Sequence, residues 1–176
     1  VDKSDTRVAG GRYHNFKDLM KFPDCGRKDL KYPVWPPLFK SELNGMESLI
    51  TLIRQKDRSL HYPYHSFDTF IRVLREAAIS KEVKSIKMTL YRLAKDSKVV
   101  KALICAAQNG KKVTVFVELK ARFDEENNLA TAEMMKSAGI KIIYSLPGLK
   151  VHAKVALVRR KSINEDNKIC DYAYIG

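Results

Sequence analysis

The feature that most constrains the fold is a regular alternation of strand and helix patterns from residue 83 onward. Short apolar or β-branched runs, typical of strands, are separated by longer segments whose apolar residues recur every three or four positions, as in helices. The sequence predicts strands at 83–90, 113–119, 140–146, around His152 and from Ile169, and helices at 97–109 and 125–138. Such alternation is typical of βαβ units, so the predicted fold class is α/β, with a mostly parallel or mixed sheet and helices on both faces.

Two more helices are predicted ahead of this alternation. The first covers 44–59, with Asn44 as its N-cap and Glu47 three residues later in a capping-box pattern. The second begins after Ser66 and runs to about Ile79, because its apolar residues recur at helical spacing.

The chain before residue 58 has a different character. Its first dozen residues are polar, and the proline-rich stretch 32–38 is extended because proline removes a backbone donor and restrains its predecessor. We therefore assign 1–57 to the end of a preceding domain and its linker, and 58–176 to the α/β domain. The chain begins without Met and ends inside a predicted strand, so we expect it to be a piece of a longer protein.

The charge balance predicts an anionic partner. Lys and Arg number 33 against 20 Asp and Glu, which gives a net charge of +13. Nucleic acid, an acidic membrane surface and phosphate-rich molecules all remain open at this point, as does a surface that is merely basic. The three cysteines lack paired spacing, which favours reduced thiols and a cytoplasmic location. No apolar run approaches the roughly 20 residues of a membrane span.

A His-x-Lys sequence on a predicted strand is the strongest candidate for chemistry. On a strand, residues two apart share a face, so His152, Lys154 and Lys150 are expected to point the same way. A neutral imidazole can attack phosphorus, while the ammonium groups stabilise the charge on the phosphoryl oxygens. A histidine in a strand is more often structural, and His-x-Lys alone is a weak motif, so its surroundings decide between the two interpretations.

Two arginines follow neighbouring predicted strands at the point where each strand ends. Arg92 comes after the first strand and Arg122 after the second, and both precede a helix. Ligands of open α/β sheets bind at this edge, where guanidinium groups and free helix N–H groups can hold phosphate oxygens. A single arginine is more often part of a surface salt bridge, but two at matching positions favour a phosphate site. The acidic run 124–126 suits the helix N-terminus, with a role near Mg²⁺ or Arg122 as the weaker alternative.

Several long motifs resemble one known family. His152-Ala153-Lys154 on this topology resembles the first half of the phospholipase-D-like superfamily. The longer match is to the bacterial polyphosphate kinases (ATP–polyphosphate phosphotransferases of the phospholipase-D-like class), and it covers about 58–176 densely and 1–57 loosely. The motifs that carry it are Tyr62-Pro63-Tyr64-His65-Ser66-Phe67, Ile86 to Arg92, Asn109 to Val115, Val117 to Asn127 and Gly148 to Lys154.

The resemblance implies a reaction and roles for the candidate residues. ATP would give its terminal phosphate to His152, and the phosphohistidine would pass it to a growing polyphosphate chain, reversibly. Lys154 and Lys150 would stabilise phosphoryl charge, and the family's phosphate- and magnesium-associated arginines match Arg92 and Arg122. A guanidinium has no lone pair for a metal, so Mg²⁺ would be held through phosphate oxygens or water.

The resemblance also implies the setting of the chain. Residues 1–57 would be the end of the head domain, and 58–176 the first phospholipase-D-like catalytic domain, truncated before a second domain that carries another catalytic histidine. The partners would be ATP or ADP and polyphosphate, with no specific nucleic acid. The full-length protein would be a homo-oligomer, cytoplasmic and in some settings membrane-associated. The chain alone would fold without turning over.

Two other functions remain as rivals. A phospholipase-D-type phosphodiesterase or nuclease would carry Asp at the position of Arg159, which disfavours it. A non-catalytic nucleic-acid-binding module would need aromatic residues interleaved with the basic residues of the sheet, whereas the aromatics lie mainly in the N-terminal arm.

Overall fold

The computed structural model describes residues 20, 22–23, 25–94, 96–118, 125–146, 148, 150–161 and 168–176, with only the backbone of Glu125. The chain divides into two compact units, 1–36 and 37–176. In the described part of the first unit, a 3₁₀-helix spans Lys28–Leu30. The boundary at 57/58 concerns the domains of a longer protein, and it stays a prediction.

The second unit contains the secondary structure that the alternating pattern predicts. A 3₁₀-helix at Ser41–Leu43 precedes the helices and strands. The helices are α1 (Leu49–Gln55), α2 (Asp68–Ile79), α3 (Lys98–Gln108) and α4 (Glu125–Ser137). The strands are β1 (Val83–Leu90), β2 (Lys112–Val117), β3 (Lys141–Tyr144), β4 (Val155–Lys161) and β5 (Ile169–Ile175). No helix within the described residues combines the length and apolar character that a membrane span requires.

The strands form one mixed sheet in the order β3-β2-β1-β4-β5. β1 pairs in parallel with β2, and β2 with β3, through the two crossovers that contain α3 and α4. β4 pairs antiparallel with β1 and with β5. The α/β class and the mixed sheet are therefore confirmed. The sheet has as many antiparallel as parallel pairings because β4 enters beside β1 without a crossover helix.

The core lies on one face of this sheet. Val115 on β2 and Ile86 on β1 are fully buried, and residues of α2, α3 and α4 join them in one apolar cluster. The opposite face carries half-buried or exposed residues such as Phe116 and Leu157. The expectation of helices on both faces is thus not met within the part of the chain that the structure describes. The reason is the strand order: right-handed crossovers from β1 to β2 and from β2 to β3 run in the same direction and place both helices on one side.

Helix α1 is shorter than the sequence predicts. It begins after Ser48, whose side chain accepts a hydrogen bond from the Thr51 N–H, and not after Asn44. The Arg72 guanidinium donates to the backbone oxygens of Leu43 and Gly45 and so holds these residues out of the helix. In addition, the Glu76 carboxylate on α2 accepts from the first backbone N–H of α1, at Leu49, from 2.8 Å. Tertiary contacts from α2 therefore decide where α1 begins.

The strand predicted around His152 begins later than expected. Residues 150–154 lie outside any strand, and β4 starts at Val155. In the register that pairs Met88 with Ala156, His152 lies two residues past the end of β1 at Leu90, so β1 has no backbone partner for it. On the other side, the Lys154 oxygen still accepts from the Gly176 N–H at 2.9 Å. His152 and Lys154 therefore belong to a loop-like entry into β4.

Candidate functional site

The candidate site is a cavity of about 670 Å³ at the end of β1. His152, Lys154 and Arg92 all line it, together with Tyr91 from the loop that follows β1. Its remaining walls come from the start of α2, the loop between β1 and α3, the start of α3, and the ends of β1 and β5: Phe67, Phe70, Met88, Thr89, Leu90, Leu93, Ala94, Ser97, Val99 and Tyr174. The structure thus brings together three of the five residues predicted from the sequence, at the expected edge of the sheet.

The ring of Tyr91 is the common contact of these three residues. The imidazole of His152 meets it edge-on, with 5.0 Å between ring centroids. The Lys154 Nζ lies 5.0 Å from the ring centroid, and the guanidinium carbon of Arg92 lies 5.9 Å from it. Because the face of an aromatic ring attracts cations, the half-buried Tyr91 holds two positive side chains near the exposed His152.

The two predicted lysines differ in their placement. Lys154 is half-buried and donates from Nζ to the His152 backbone oxygen at 2.5 Å. An ammonium has three donors, so this bond leaves others for an anion beside the imidazole. Lys150 is exposed and is not among the cavity-lining residues. Its role beside His152 stays a prediction.

The loop that carries Tyr91 and Arg92 is held from the first turns of α4. Asn128 is fully buried, and its side-chain nitrogen donates to the Tyr91 oxygen at 2.8 Å and to the Glu118 oxygen at 3.0 Å. Asn127 donates in the same way to the Leu93 oxygen at 2.8 Å. These side-chain amides satisfy backbone carbonyls beyond the end of the β1–β2 ladder, where strand pairing no longer can.

The segment that carries His152 is held by two side chains of the sheet. The Glu118 carboxylate, only 1% exposed, accepts from the Val151 N–H at 3.1 Å and from the Ser145 hydroxyl at 3.1 Å. The Thr89 hydroxyl donates to the Ala153 oxygen at 2.6 Å and accepts from the Val155 N–H at 2.9 Å. Both ends of the segment are therefore fixed to the sheet.

The donors around this cavity do not form a magnesium site by themselves. Its charged lining residues are Arg92 and Lys154, whose groups have no lone pair for a metal, and the neutral donors are few. Mg²⁺ prefers carboxylate, phosphate and water oxygens. Within the described residues there is no cluster of three or more His, Cys, Asp or Glu side chains that could hold a metal ion. The chemistry of the lining suits phosphate oxygens.

Sequence reasoning missed three residues of the site. Tyr91 stands between a strand and a predicted phosphate-binding arginine, which was a usable signal for a role in the site. Glu118 was visible as a charged residue within the apolar strand predicted at 113–119, and Thr89 offered no signal. Arg122, predicted to act with Arg92, lies outside the described residues, as do residues 119–124 as a whole.

Arg159 lies away from the candidate site. On β4, its guanidinium donates two hydrogen bonds to the Asp171 carboxylate on β5, at 2.9 and 2.7 Å. This hydrogen bonding lowers the pKa of the Asp171 carboxyl below its ordinary value. Arg159 therefore joins β4 to β5, and it is not among the residues that line the cavity.

A larger cavity, of about 870 Å³, lies between α1, α2 and the last two strands. Its lining includes Tyr62, Phe70 and Tyr174 but neither His152 nor Lys154. Burial, with a smaller contribution from the neighbouring Tyr174 phenol, raises the pKa of Tyr62 to about 12.

The fold and the site define an α/β domain with a histidine, a lysine and an arginine gathered at one edge of a mixed sheet. The family model described as polyphosphate kinase C-terminal domain 1 matches residues 48–176, which is most of the chain. This chain therefore belongs to the polyphosphate kinase family, and the matched residues correspond to the first of its C-terminal domains.

Curated relatives and a solved structure agree with this assignment. The chain is 44% identical over 176 residues to a polyphosphate kinase of Vibrio cholerae, covering all of this chain and 25% of that protein. It is 44% identical over 182 residues to a polyphosphate kinase of Escherichia coli K12, with the same coverage. The crystal structure of a polyphosphate kinase from Porphyromonas gingivalis matches 88% of this chain and 26% of its own, with a TM-score of 0.68 and 48% identity.

The chain thus spans about a quarter of the length of the curated relatives that it matches. A phospholipase D family member from Salmonella typhimurium is a more distant likeness, at 18% identity and a TM-score of 0.44.

Proposed function

We propose that this chain forms one side of the active site of a polyphosphate kinase, which transfers the terminal phosphate of ATP reversibly to inorganic polyphosphate. The observation that carries the proposal is the contact of His152, Lys154 and Arg92 with the Tyr91 ring inside one cavity. Membership of the polyphosphate kinase family supports it independently.

The reaction runs through His152 in two displacements. A ring nitrogen of the neutral imidazole attacks the terminal phosphorus of ATP, a P–N bond forms, and the bond to the bridging oxygen breaks so that ADP leaves with its electron pair. In the second displacement, a terminal oxygen of polyphosphate attacks the same phosphorus. The P–N bond then breaks, and the imidazole recovers its lone pair. Run backwards, the same two steps make ATP from ADP.

The cationic side chains stabilise the phosphoryl group as it moves. Lys154 lies beside His152 and directs its remaining donors to the phosphoryl oxygens, and Arg92, which also contacts the Tyr91 ring, contributes a planar pair of donors. Lys150 and Arg122 are proposed to extend this set along the bound phosphates. Mg²⁺ would be held by the nucleotide phosphate oxygens and water, where it would neutralise phosphate charge, because Arg92 and Lys154 have no lone pair to offer a metal.

The rest of the proposal concerns the setting of the chain. The relatives are four times as long, and we propose that a further domain, with a second histidine, completes the site. The chain alone is expected to fold without turning over. The three cysteines are free thiols, in agreement with a cytoplasmic location. A homo-oligomer without a specific nucleic-acid partner, membrane-associated in some settings, completes the proposal.

The proposal is tested in a full-length polyphosphate kinase that contains this sequence. Incubation with ATP labelled in its terminal phosphate is expected to give acid-labile, base-stable label on His152. The variant His152→Ala is expected to lose both the label and the synthesis of polyphosphate. His61→Ala is the matched control, because His61 is an exposed histidine outside the cavity lining. Normal synthesis by His152→Ala would overturn the mechanism.

The phosphodiesterase alternative has no support from the site. A phospholipase-D-type phosphodiesterase would carry a carboxylate at position 159. The residue there is Arg159, which forms a salt bridge with Asp171 on the neighbouring strand. Release of an alcohol from phosphatidylcholine or of nucleotides from DNA, measured with the same preparation, is expected to stay at background.

A further inference from the structure

The segment 151–154 needs hydrogen-bond partners that β1 cannot supply. β4 pairs with β1 only from Ala156 onward, opposite Met88, and β1 ends two residues after Met88. The backbone groups of Val151 and Ala153 would then have no hydrogen-bond partners from strand pairing. A backbone without such partners samples many conformations, and the histidine it carries would do the same.

Side chains replace the missing ladder at every second residue. Glu118 takes the Val151 N–H, and Thr89 takes the Ala153 oxygen and the Val155 N–H. In an extended chain, residues that alternate in this way face one direction, and those between them face the other. The backbone groups of residues 151, 153 and 155 are thus turned to Glu118 and Thr89, while the side chains of His152 and Lys154 contact the Tyr91 ring.

Of the two anchors, Glu118 fixes the end that precedes His152. Its carboxylate is buried, and buried carboxylates are tolerated only when hydrogen bonds satisfy them. One oxygen accepts from the Ser145 hydroxyl beyond β3, and the other accepts from the Val151 N–H one residue before His152. The Glu118 backbone is itself held, since its N–H donates to the Leu90 oxygen at 3.0 Å. Glu118 therefore joins the ends of three strands to the histidine segment.

We propose that Glu118 is a positioning residue for phosphoryl transfer, which sets the place of the His152 imidazole through the Val151 N–H. The inference rests on the proposed function of His152. This positioning role can be distinguished from a charge effect by experiment. The hydrogen bond needs an acceptor atom close enough to the Val151 N–H, whereas a charge effect needs only the negative charge of the carboxylate.

The test compares three substitutions of Glu118 in a full-length polyphosphate kinase that contains this sequence. Glu118→Gln keeps the reach and an acceptor for Val151, and its amide can donate to Ser145. Glu118→Asp keeps the charge but withdraws the oxygens by one methylene. Glu118→Ala removes both.

We expect Glu118→Ala and Glu118→Asp to lower kcat and the rate of phosphohistidine formation by roughly 10- to 100-fold, since displacement of a reacting group by about 1 Å costs up to about 100-fold. KM for ATP should stay within about threefold, because Arg92 and Lys154 still hold the nucleotide phosphates. Glu118→Gln should recover most of the rate.

A control variant separates positioning from loss of stability. Glu82→Ala also removes a carboxylate with a partly buried partner, Arg160, but at the far end of β4 from His152. Its expected kcat per folded molecule is that of the unmodified protein, even if its thermal unfolding temperature falls. If Glu118→Ala fails to fold, the order of the Gln and Asp variants decides the question.

Each outcome either supports or overturns the inference. A higher kcat for Glu118→Gln than for Glu118→Asp supports the positioning role. A higher kcat for Glu118→Asp than for Glu118→Gln assigns Glu118 a charge role and overturns the inference. An unchanged kcat in all three variants also overturns it. Failure of the proposed function would appear in a different experiment, as normal polyphosphate synthesis by His152→Ala.

Discussion

The Thr89 hydroxyl is the anchor whose removal gives the sharpest test of how the His152 segment is held. Thr89→Val keeps the shape of the side chain and deletes its hydrogen bonds, of which the two shortest are to the Ala153 oxygen at 2.6 Å and from the Val155 N–H at 2.9 Å. The two losses differ in cost. The Val155 N–H is partly buried, so leaving it unpaired costs about 1–2 kcal/mol. Ala153 is exposed, and water can replace its bond for about 0.5 kcal/mol.

A valine methyl and its strand propensity return about 0.3 kcal/mol, which leaves a net destabilisation of roughly 1.5 kcal/mol. For a protein of this size, that corresponds to a thermal unfolding temperature lower by about 3–6 °C. Urea unfolding of the 176-residue chain at 25 °C, followed by far-ultraviolet circular dichroism, measures the free energy directly.

Thr114→Val is the matched control. Thr114 lies on the neighbouring strand β2, opposite Lys87, on the same open face of the sheet, and its hydroxyl makes no hydrogen bond to any residue that the structure describes. The control should change the free energy of unfolding by less than about 0.5 kcal/mol. Equal destabilisation by both variants would refute the role assigned to the Thr89 hydroxyl.

Three further predictions use other parts of the chain. Ser48→Ala should destabilise the protein by about 1 kcal/mol in urea unfolding, because Ser48 is the observed N-cap of α1, whereas Asn44→Ala should cost less than about 0.5 kcal/mol; the reverse order would restore the helix start predicted from the sequence. The raised pKa of Tyr62, about 12 against an ordinary 10.0, means that its contribution to stability is complete below pH 10 and is lost as pH rises through 12. Tyr62→Phe should therefore flatten the alkaline fall in unfolding free energy, and an unchanged alkaline profile would contradict this. The pKa of Asp171 is lowered by its hydrogen bond to Arg159, so this pair stabilises the fold above the ordinary value of 3.8 and loses its effect as pH falls through the lower folded value; Asp171→Asn should lower the urea midpoint at pH 7 and lower it less at pH 2, and an equal decrease at both values would contradict the pairing.

Local sequence patterns were sufficient to predict most of the fold. Strand β1 has the predicted bounds, and α3 begins after Ser97, whose side chain accepts from the Val100 N–H as an N-cap. Gly139 ends α4 with a positive φ of 84°, which glycine adopts at little cost. These elements were predictable because their signals are local: apolar periodicity, a capping hydroxyl and a glycine stop.

The errors arose where a distant residue decides the local structure. Arg72 and Glu76 on α2 set the start of α1, and neither is near it in sequence. The end of β1 at Leu90 decides that His152 lies outside the strand. A pattern within one segment contains no information about where its neighbour ends, so strand pairing has to be known before these bounds can be placed.

The candidate site was predictable in its chemistry but not in its arrangement. Residue type and position at a strand end were enough to select His152, Lys154 and Arg92. Their shared contact with the Tyr91 ring depends on the folding of two loops against one another, which no spacing in the sequence expresses. The same holds for Glu118, because its partners follow it by 27 and 33 residues.

The anchors of the histidine segment contact main-chain atoms, and this has a consequence for how the segment can vary. Val151 and Ala153 are held through their N–H and oxygen, so a substitution at either position leaves the two hydrogen bonds available. An insertion or deletion of one residue between Glu118's contact and Thr89's contacts would instead reverse the alternation and turn the imidazole toward the sheet. The segment therefore tolerates changes of side chain but not changes of length. An engineered loop at this edge has to keep the same number of residues.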